Sequence, residues 1–178
     1  MIVVLNGYPG VGKLTIARAL AATLNGRLLD IHTTYNLAFA LTEFRSPEFW
    51  ETVEQVETIA HNLILKLPSD QPVVFTTVLT SKSEREQNEW DKLVELGRRR
   101  PPFCVVHIGC DLEENIRRIT SEGRDMKRKP RDPEMAIRNQ TAREPLAGLN
   151  EQFLLELDTT QMLPDEAART ISQWCRGI

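Results

Sequence analysis

The sequence feature that most constrains the fold of this chain is a glycine-rich stretch near its N-terminus. It reads Gly7-Tyr8-Pro9-Gly10-Val11-Gly12-Lys13-Leu14-Thr15, between an apolar run at residues 2–5 and an amphipathic stretch at residues 14–24. A strand, a glycine loop and a helix in this order are the context of a phosphate-binding loop. The glycines let backbone N–H groups point into one concavity, and the helix dipole and Lys13 add positive charge. This context favours a loop that binds a nucleoside triphosphate over a turn with a chance lysine.

One position departs from the usual pattern of such loops. The residue after the lysine is usually Ser or Thr, whose hydroxyl reaches Mg²⁺, but here it is Leu14, and Thr15 follows. A leucine cannot coordinate a metal ion. Either Mg²⁺ is held by phosphates, waters and another side chain, with Thr15 and Asp30 as candidates, or the use of metal is weakened.

The composition is that of an ordinary globular chain of 178 residues with a formal net charge of −3. This length favours a single domain spanning 1–178, and the charge gives no indication of a nucleic-acid or membrane partner. No apolar run approaches the length of a membrane-spanning helix. Cys104, Cys110 and Cys175 lack the spacing of a metal site and are expected to be buried, reduced thiols. We expect a cytoplasmic protein, a monomer or weak homodimer, whose partner is a small molecule.

Strands and helices alternate along the sequence. The predicted strands are the apolar runs at residues 2–5, 27–30, 73–75, 103–108 and 153–157. The later predicted helices start at Ser46, at a capping box formed by Ser81 and Glu84, at Asp111 (ending near Gly123), at Asp132 and at Pro164. The helix after Ser46 is expected to bury Phe49, Val53, Val56, Ala60, Leu63 and Leu67. Helical crossovers between strands predict an α/β fold in which a parallel sheet carries helices on both faces.

Polar residues stand where several predicted strands end. Ligands of parallel sheets bind beyond the carboxyl ends of the strands, so Asp30, Thr76, Thr77 and the loop after Leu157 are expected to converge on the glycine loop. Asp30 is the candidate that receives or orients the proton of an acceptor hydroxyl, or else it caps the chain that follows. His32 either binds the substrate or fills a polar turn, and Asn36 is a weaker candidate with a surface or capping role as its alternative.

Taken together, these pieces resemble the small P-loop kinases, and most closely the shikimate kinase-like group. The chain is also similar to AAA-domain ATP-binding proteins of the same superfamily. Stretches along nearly the whole chain carry the resemblance, at residues 7–15, 28–30, 48–49, 117–118, 143–146, 157–160 and 164–166. The resemblance implies a three-layer P-loop fold with a five-stranded parallel sheet in the order 2-3-1-4-5. It also implies an acceptor-binding helical segment near residues 33–67 and a lid near residues 122–132.

The resemblance also suggests roles for several cationic and hydroxyl residues. The basic stretch at residues 124–131 has the composition and place of a lid that closes on phosphates, and a solvated charge run is the alternative. Arg118 and Arg124 are the candidates for contacts with the transition state, and Arg128 comes next. Arg143 either holds an anionic acceptor or pairs with Glu144 or Glu151. Thr159 and Thr160 are expected to lie near the adenine.

The acceptor side departs from the shikimate kinases. Those enzymes have a second Asp where this chain has His32, an Arg where it has Trp50, and a glycine run where it has residues 76–78. Only Arg143 matches the residues that hold the shikimate carboxylate and hydroxyls. Losing one arginine–carboxylate contact weakens recognition by about 2–3 kcal/mol, which disfavours shikimate as the acceptor.

These observations favour an ATP-dependent kinase, with Mg²⁺, that transfers the γ-phosphate of ATP to a small hydroxylated or phosphorylated molecule. Lys13 and Asp30 would be its central catalytic residues. Two alternatives stay open: a nucleoside monophosphate kinase, and a nucleotide-binding switch or degenerate ATPase without acceptor chemistry. A GTPase is disfavoured because the sequence has no Asn-Lys-x-Asp motif that would read the base.

Overall fold

A five-stranded parallel sheet forms the centre of the protein. The computed structural model describes residues 1–121, 131–142 and 144–178. The strands are β1 (Ile2–Asn6), β2 (Arg27–Asp30), β3 (Val73–Thr77), β4 (Phe103–Gly109) and β5 (Leu154–Asp158). They are hydrogen-bonded in the order β2-β3-β1-β4-β5, and every pair is parallel. The predicted fold class and strand order are confirmed.

Seven helices lie within the described residues. They are α1 (Lys13–Thr23), α2 (Ile31–Leu41), α3 (Pro47–Ile64), α4 (Glu84–Arg99), α5 (Leu112–Ile119), α6 (Pro133–Ala142) and α7 (Pro164–Arg176). The Ser46 hydroxyl caps α3 by accepting a hydrogen bond from the Phe49 N–H, and the Asp111 carboxylate caps α5 in the same way. Both starts are as predicted, because side-chain oxygens at these positions satisfy free N–H groups of the first turn.

The predicted capping box of α4 is wrong. The cap is Ser83, whose hydroxyl accepts a hydrogen bond from the Glu86 N–H. The Glu86 carboxylate binds the backbone N–H and the hydroxyl of Thr80 and so closes the preceding loop. The neighbouring serines Ser81 and Ser83 both fit a cap by sequence, and only the tertiary path of the loop decides between them. Helix α5 also ends earlier than expected, at Ile119.

The core has one layer on each face of the sheet. Alternate residues of β1 point to opposite faces: Val3 and Leu5 pack with α1 and α7, and Ile2 and Val4 pack with α4 and the end of α3. Every residue of β1 and β3 is buried, as expected for central strands covered on both sides. All three cysteines are free thiols; Cys104 and Cys175 are buried and Cys110 is partly buried.

The buried face of α3 differs from the predicted one. Phe49 and Val53 are buried as expected, but Leu63 is 58% exposed and Ile64 is buried in its place. The inward face therefore runs through Val53, then past Glu57 and His61, to Ile64. The apolar pattern missed this face because two of its members are ionisable.

A cluster of aromatic side chains joins α2 to α3. Phe49 is fully buried at its centre, with ring centroids 5.1 Å from Phe39, 5.3 Å from Phe44 and 4.9 Å from Trp50. Tyr35 lies 5.9 Å from Phe49 and completes what we call the aromatic cluster. In the described residues, no helix is long and apolar enough to cross a membrane.

Asn6, the last residue of β1, fixes the carboxyl end of the sheet. Its side-chain amide donates to the carbonyl oxygens of Leu79 (2.9 Å) and Ala147 (3.1 Å), and its Oδ1 accepts from the Leu79 N–H (3.0 Å). Asn6 is fully buried, so water cannot replace these three bonds. Asn6 therefore fixes the segments that carry Leu79 and Ala147 next to Gly7, the first residue of the glycine loop.

We predict that Asn6→Ala lowers the free energy of unfolding by about 1–3 kcal/mol, because the buried Leu79 N–H loses its hydrogen-bond acceptor and the Leu79 and Ala147 carbonyls each lose one of two hydrogen bonds. Urea unfolding of the wild type and the variant measures this loss. Asn62→Ala, at an exposed position on α3, is the matched control and should change stability by less than about 0.5 kcal/mol. An equal effect of the two substitutions would contradict the role assigned to Asn6.

Candidate active site

The glycine loop between β1 and α1 passes so close to its neighbours that side chains do not fit. A Cβ atom on Gly7 would lie 2.4 Å from the carbonyl oxygen of Ile108, and one on Gly10 would lie 2.6 Å from Nδ2 of Asn115. Gly10 and Gly12 also have φ values of +94°, which side-chain-bearing residues rarely adopt. The glycines are thus required by space as well as by backbone conformation.

Lys13 is held inside this loop. Its Nζ donates hydrogen bonds to the carbonyl oxygens of Gly7 and Tyr8, the latter at 2.9 Å, and only 9% of the residue is exposed. A largely buried ammonium at the first residue of α1 adds to the positive end of the helix dipole. Leu14 is partly buried and Thr15 is exposed, so the first hydroxyl after the lysine is at Thr15.

A cleft that we call the nucleotide-side cleft lies on one side of the loop and has a volume of about 700 Å³. Its walls come from Gly10, Gly12 and Thr15, from one face of α5, and from residues 159–164, which lead into α7. The Thr159 hydroxyl donates to the Gly109 carbonyl (2.9 Å), and the Thr160 hydroxyl accepts from the Asp111 N–H (2.8 Å). Both hydroxyls therefore fix the shape of the wall.

Arg118 connects three elements around the nucleotide-side cleft. Its Nη1 donates to the Val11 carbonyl (3.1 Å), its Nη2 donates to the Thr159 carbonyl (2.7 Å), and its Nε donates to the Glu114 carboxylate (2.6 Å). Hydrogen bonding from Arg117, together with Arg118, lowers the pKa of Glu114 to about 2. The predicted contact of Arg118 with a transition state stays a prediction. Its observed hydrogen bonds fix the glycine loop against the wall of the cleft.

A second cleft, which we call the acceptor-side cleft, lies on the other side of the loop, with a volume of about 710 Å³. It shares Gly10, Gly12 and Thr15 with the nucleotide-side cleft, so the loop forms a wall of both. The predicted residues Lys13, Asp30, His32 and Thr76 all line it. Its other lining residues are Pro9, Leu14, Ile31, Phe39, Phe44, Arg45, Val78, Asp132 and Met135.

Asp30 reaches this cleft from the end of β2. Its residue occupies the cap position of α2, but the side chain makes no capping hydrogen bond. The carboxylate Oδ1 instead accepts a hydrogen bond from the hydroxyl of Thr76, its partner in the register between β2 and β3. The alternative that Asp30 serves as a side-chain cap is therefore wrong.

The sequence matches the profile of the AAA domain family over residues 3–143. The chain belongs to the AAA domain family. Comparison with curated proteins finds no match.

Solved structures similar to this AAA-domain protein share its fold over nearly the whole chain. A candidate kinase from Chloroflexus aurantiacus is 21% identical, with a TM-score of 0.67 over 99% of this chain and 96% of the other. A shikimate kinase from Acinetobacter baumannii, in complex with shikimate, is 21% identical (TM-score 0.60, 99% and 93%). A gluconokinase from Sinorhizobium meliloti is 12% identical (TM-score 0.60, 99% and 93%). The resemblance to small P-loop kinases is confirmed for the fold.

Other predicted site residues of this AAA-domain protein do not line the acceptor-side cleft or lie outside the described residues. Asn36 is exposed on α2 and does not line the acceptor-side cleft, and Thr77 is buried and faces a smaller cavity. Arg124, Arg128 and Arg143, together with residues 122–130 of the predicted lid, lie outside the described residues.

The oxygen-bearing side chains of the acceptor-side cleft fit a magnesium ion that is bound together with a nucleotide. Within the described residues, no group of three or more His, Cys, Asp or Glu side chains could hold a metal by itself. Mg²⁺ bound to phosphates keeps several waters and needs only one or two protein oxygens. Asp30 and Thr15 both line the acceptor-side cleft and can supply such oxygens, whereas Leu14 cannot.

A small cavity of about 30 Å³ lies behind Asp30, with room for a water molecule. Asp30 and Thr76 separate it from the acceptor-side cleft, and Glu57, His61 and Glu89 also line it. Burial and the neighbouring Glu89 raise the pKa of Glu57 to about 8, and burial lowers the pKa of His61. Sequence reasoning missed this cluster; the signal was the spacing of Glu57 and His61, four and eight residues after Val53 on α3.

We predict that Glu57 contributes stability that is lost as pH rises from 5 to 9, so that this rise in pH destabilises Glu57→Gln less than the wild type. The unfolded carboxyl titrates near 4.5 and the folded one near 8, so between these values the folded state keeps a proton that the unfolded state releases. Urea unfolding at pH 5, 7 and 9 measures the difference. Glu51→Gln, at an exposed position on the same helix, should show the same dependence of the free energy of unfolding on pH as the wild type. If the stability of Glu57→Gln depended on pH as that of the wild type does, the raised pKa assigned to Glu57 would be contradicted.

Proposed function

We propose that this protein is an ATP-dependent kinase that transfers the γ-phosphate of ATP to a hydroxyl group of a small molecule. The observation that carries the proposal is the glycine loop shared by two clefts. A triphosphate lying along the loop would extend from the nucleotide-side cleft, with its terminal phosphate at the acceptor-side cleft. Asp30 and Lys13 line the acceptor-side cleft, so a carboxylate and an ammonium are available where the transfer would occur.

Charge neutralisation on the phosphates and proton removal from the acceptor each have a candidate residue. The acceptor oxygen attacks the γ-phosphorus, the bond from that phosphorus to the β,γ-bridging oxygen breaks, and ADP leaves. Lys13 and the loop N–H groups balance the charge on the phosphates, which is the main requirement of phosphoryl transfer. Asp30 orients the acceptor hydroxyl and receives its proton. The Thr76 hydroxyl holds the Asp30 carboxylate in place through Oδ1, and the second oxygen remains for the acceptor.

The nucleotide half of the proposal rests on the other cleft. The adenine would lie against residues 159–164, where Thr159 and Thr160 shape the backbone. Mg²⁺ would be bound by the phosphates and by Asp30 or Thr15, and it would supply further charge neutralisation. The shared fold of proteins named as a shikimate kinase and a gluconokinase supports a small-molecule kinase.

A nucleotide-binding switch without acceptor chemistry is the second candidate. Leu14 supports it, because this position lacks the hydroxyl that usually binds the metal in such loops. The two proposals differ in ADP formation. A kinase forms ADP faster when its acceptor is added, whereas a switch binds ATP and shows no stimulation by any acceptor, nucleoside monophosphates included.

We predict that Lys13→Ala lowers acceptor-stimulated kcat by at least about 100-fold, because it removes a full charge from the γ-phosphate site. A coupled assay of ADP formation measures kcat with a panel of alcohols, sugars and nucleoside monophosphates. Lys66→Ala, at an exposed position after α3, is the matched control and should retain wild-type kcat. Unchanged turnover in Lys13→Ala would contradict the proposed role of the glycine loop in phosphoryl transfer.

We predict that Asp30→Asn lowers kcat by about 100-fold or more and changes the Kd for ATP by less than about threefold. The amide oxygen can still accept the hydrogen bond from Thr76, so the variant keeps the local structure and loses the proton acceptor. Calorimetry with ATP and the assay of ADP formation measure the two effects. Asp70→Asn, in an exposed turn before β3, controls for the loss of one negative charge. Equal kcat in Asp30→Asn and the wild type would exclude Asp30 as the base.

A further inference from the structure

From the walls of the acceptor-side cleft, we infer that the acceptor is a flat ring compound that carries its reacting hydroxyl at some distance from the ring. This inference rests on the proposed kinase function and names the chemical class of its acceptor. The observations are the distribution of polar and aromatic side chains along α2 and the rigidity of the aromatic wall.

The polar and aromatic walls stand at opposite ends of α2. Asp30 and His32 lie at its first turn, beside the glycine loop, whereas Phe39 lies in its last turn and Phe44 in the connection to α3. His32 and Phe39 are seven positions apart, which corresponds to about 10 Å along a helix. A ligand that spans this cleft therefore meets hydrogen-bonding groups at the loop and aromatic rings at the far end.

The aromatic wall of the cleft, Phe39 and Phe44, packs on a buried side chain. Phe39 and Phe44 line the cleft with their ring centroids 5.5 Å apart, and both pack against Phe49, which is fully buried. Phe44 remains 59% exposed although Arg45 lies over its ring, so part of the ring, its edge included, can contact a ligand. A prepositioned aromatic surface of this kind stabilises another flat ring by edge-to-face or offset contact, at little cost in conformational entropy.

The rest of the described wall does not suit an open-chain polyol. Leu14, Ile31, Val78 and Met135 contribute apolar surface. The Thr76 hydroxyl donates its hydrogen bond to Asp30, and the Arg45 guanidinium lies over the Phe44 ring at 5.0 Å from its centroid. The Asp132 carboxylate already accepts hydrogen bonds from the Glu134 N–H and from Arg138. A compound with hydroxyls along its whole length would leave several of them without partners against this wall, which weakens binding strongly.

Matched pairs of acceptors test the inference in the ADP-formation assay. The pairs are 2-phenylethanol with 2-cyclohexylethanol, and uridine with ribose; gluconate and glycerol represent ring-free polyols. We expect at least one of the flat-ring alcohols to be used at least tenfold more efficiently, by kcat/KM, than its partner and than either polyol. Preference for uridine or for 2-phenylethanol then tells a nucleoside from a simple aromatic alcohol. Highest efficiency with ribose, gluconate, glycerol or the cyclohexyl compound would overturn the inference.

The variant Phe44→Leu tests the wall itself, because leucine keeps an apolar side chain and removes the ring. We expect the KM for the preferred ring alcohol to rise roughly three- to tenfold, which matches the contribution of one aromatic pair. The KM for ATP should stay unchanged. Leu41→Ala, at a 75% exposed position in the last turn of α2 that does not line the cleft, is the control. An unchanged KM for the ring alcohol in Phe44→Leu would overturn the inference.

A binding measurement separates this inference from the kinase proposal. Calorimetry with a non-hydrolysable ATP analogue reports binding of the ring compounds without any turnover. If no acceptor increases ADP formation while ring compounds bind the wild type and bind Phe44→Leu more weakly, the kinase proposal fails and the ring inference stands. If a polyol is phosphorylated and the ring compounds do not bind, the ring inference fails and the kinase proposal stands.

Discussion

The close approach of the glycine loop to β4 and α5 is the constraint on which the site depends. The loop leaves no space for a Cβ atom beside the Ile108 carbonyl or the Asn115 amide, and this amide also donates a hydrogen bond to the Pro9 carbonyl at 3.1 Å. Arg118 adds a further bond, from its guanidinium to the Val11 carbonyl. The loop is thus held by groups far away in sequence, which limits the entropy that a bound phosphate would have to remove.

Sequence reasoning succeeded where structure is determined locally. The apolar runs gave the five strands because central strands of a parallel sheet are buried on both faces. Ser46 and Asp111 identified helix starts because a cap involves residues only three positions apart. Asp30, Thr76 and the glycine loop were expected to meet because parallel strands end at the same edge, and Asp30 and Thr76 are indeed register partners.

The same reasoning failed where tertiary contacts decide. The wrong serine was assigned as the cap of α4, because the right one depends on how Glu86 closes the preceding loop onto Thr80. The inward face of α3 was misplaced because Glu57 and His61 line a polar cavity, which an apolar pattern does not register. The aromatic cluster joins residues from two helices and their connection, and no single periodicity relates them.

The position of β2 at the edge of the sheet has a consequence for the acceptor-side cleft. This four-residue strand carries Asp30, pairs with β3 alone, and leads directly into α2. A shift of β2 and α2 would therefore reshape the acceptor-side cleft while the pairing of β1 with β4 stays in place. A chain with this topology can thus change the compound that fits its acceptor-side cleft without rebuilding the glycine loop that β1 and α1 hold.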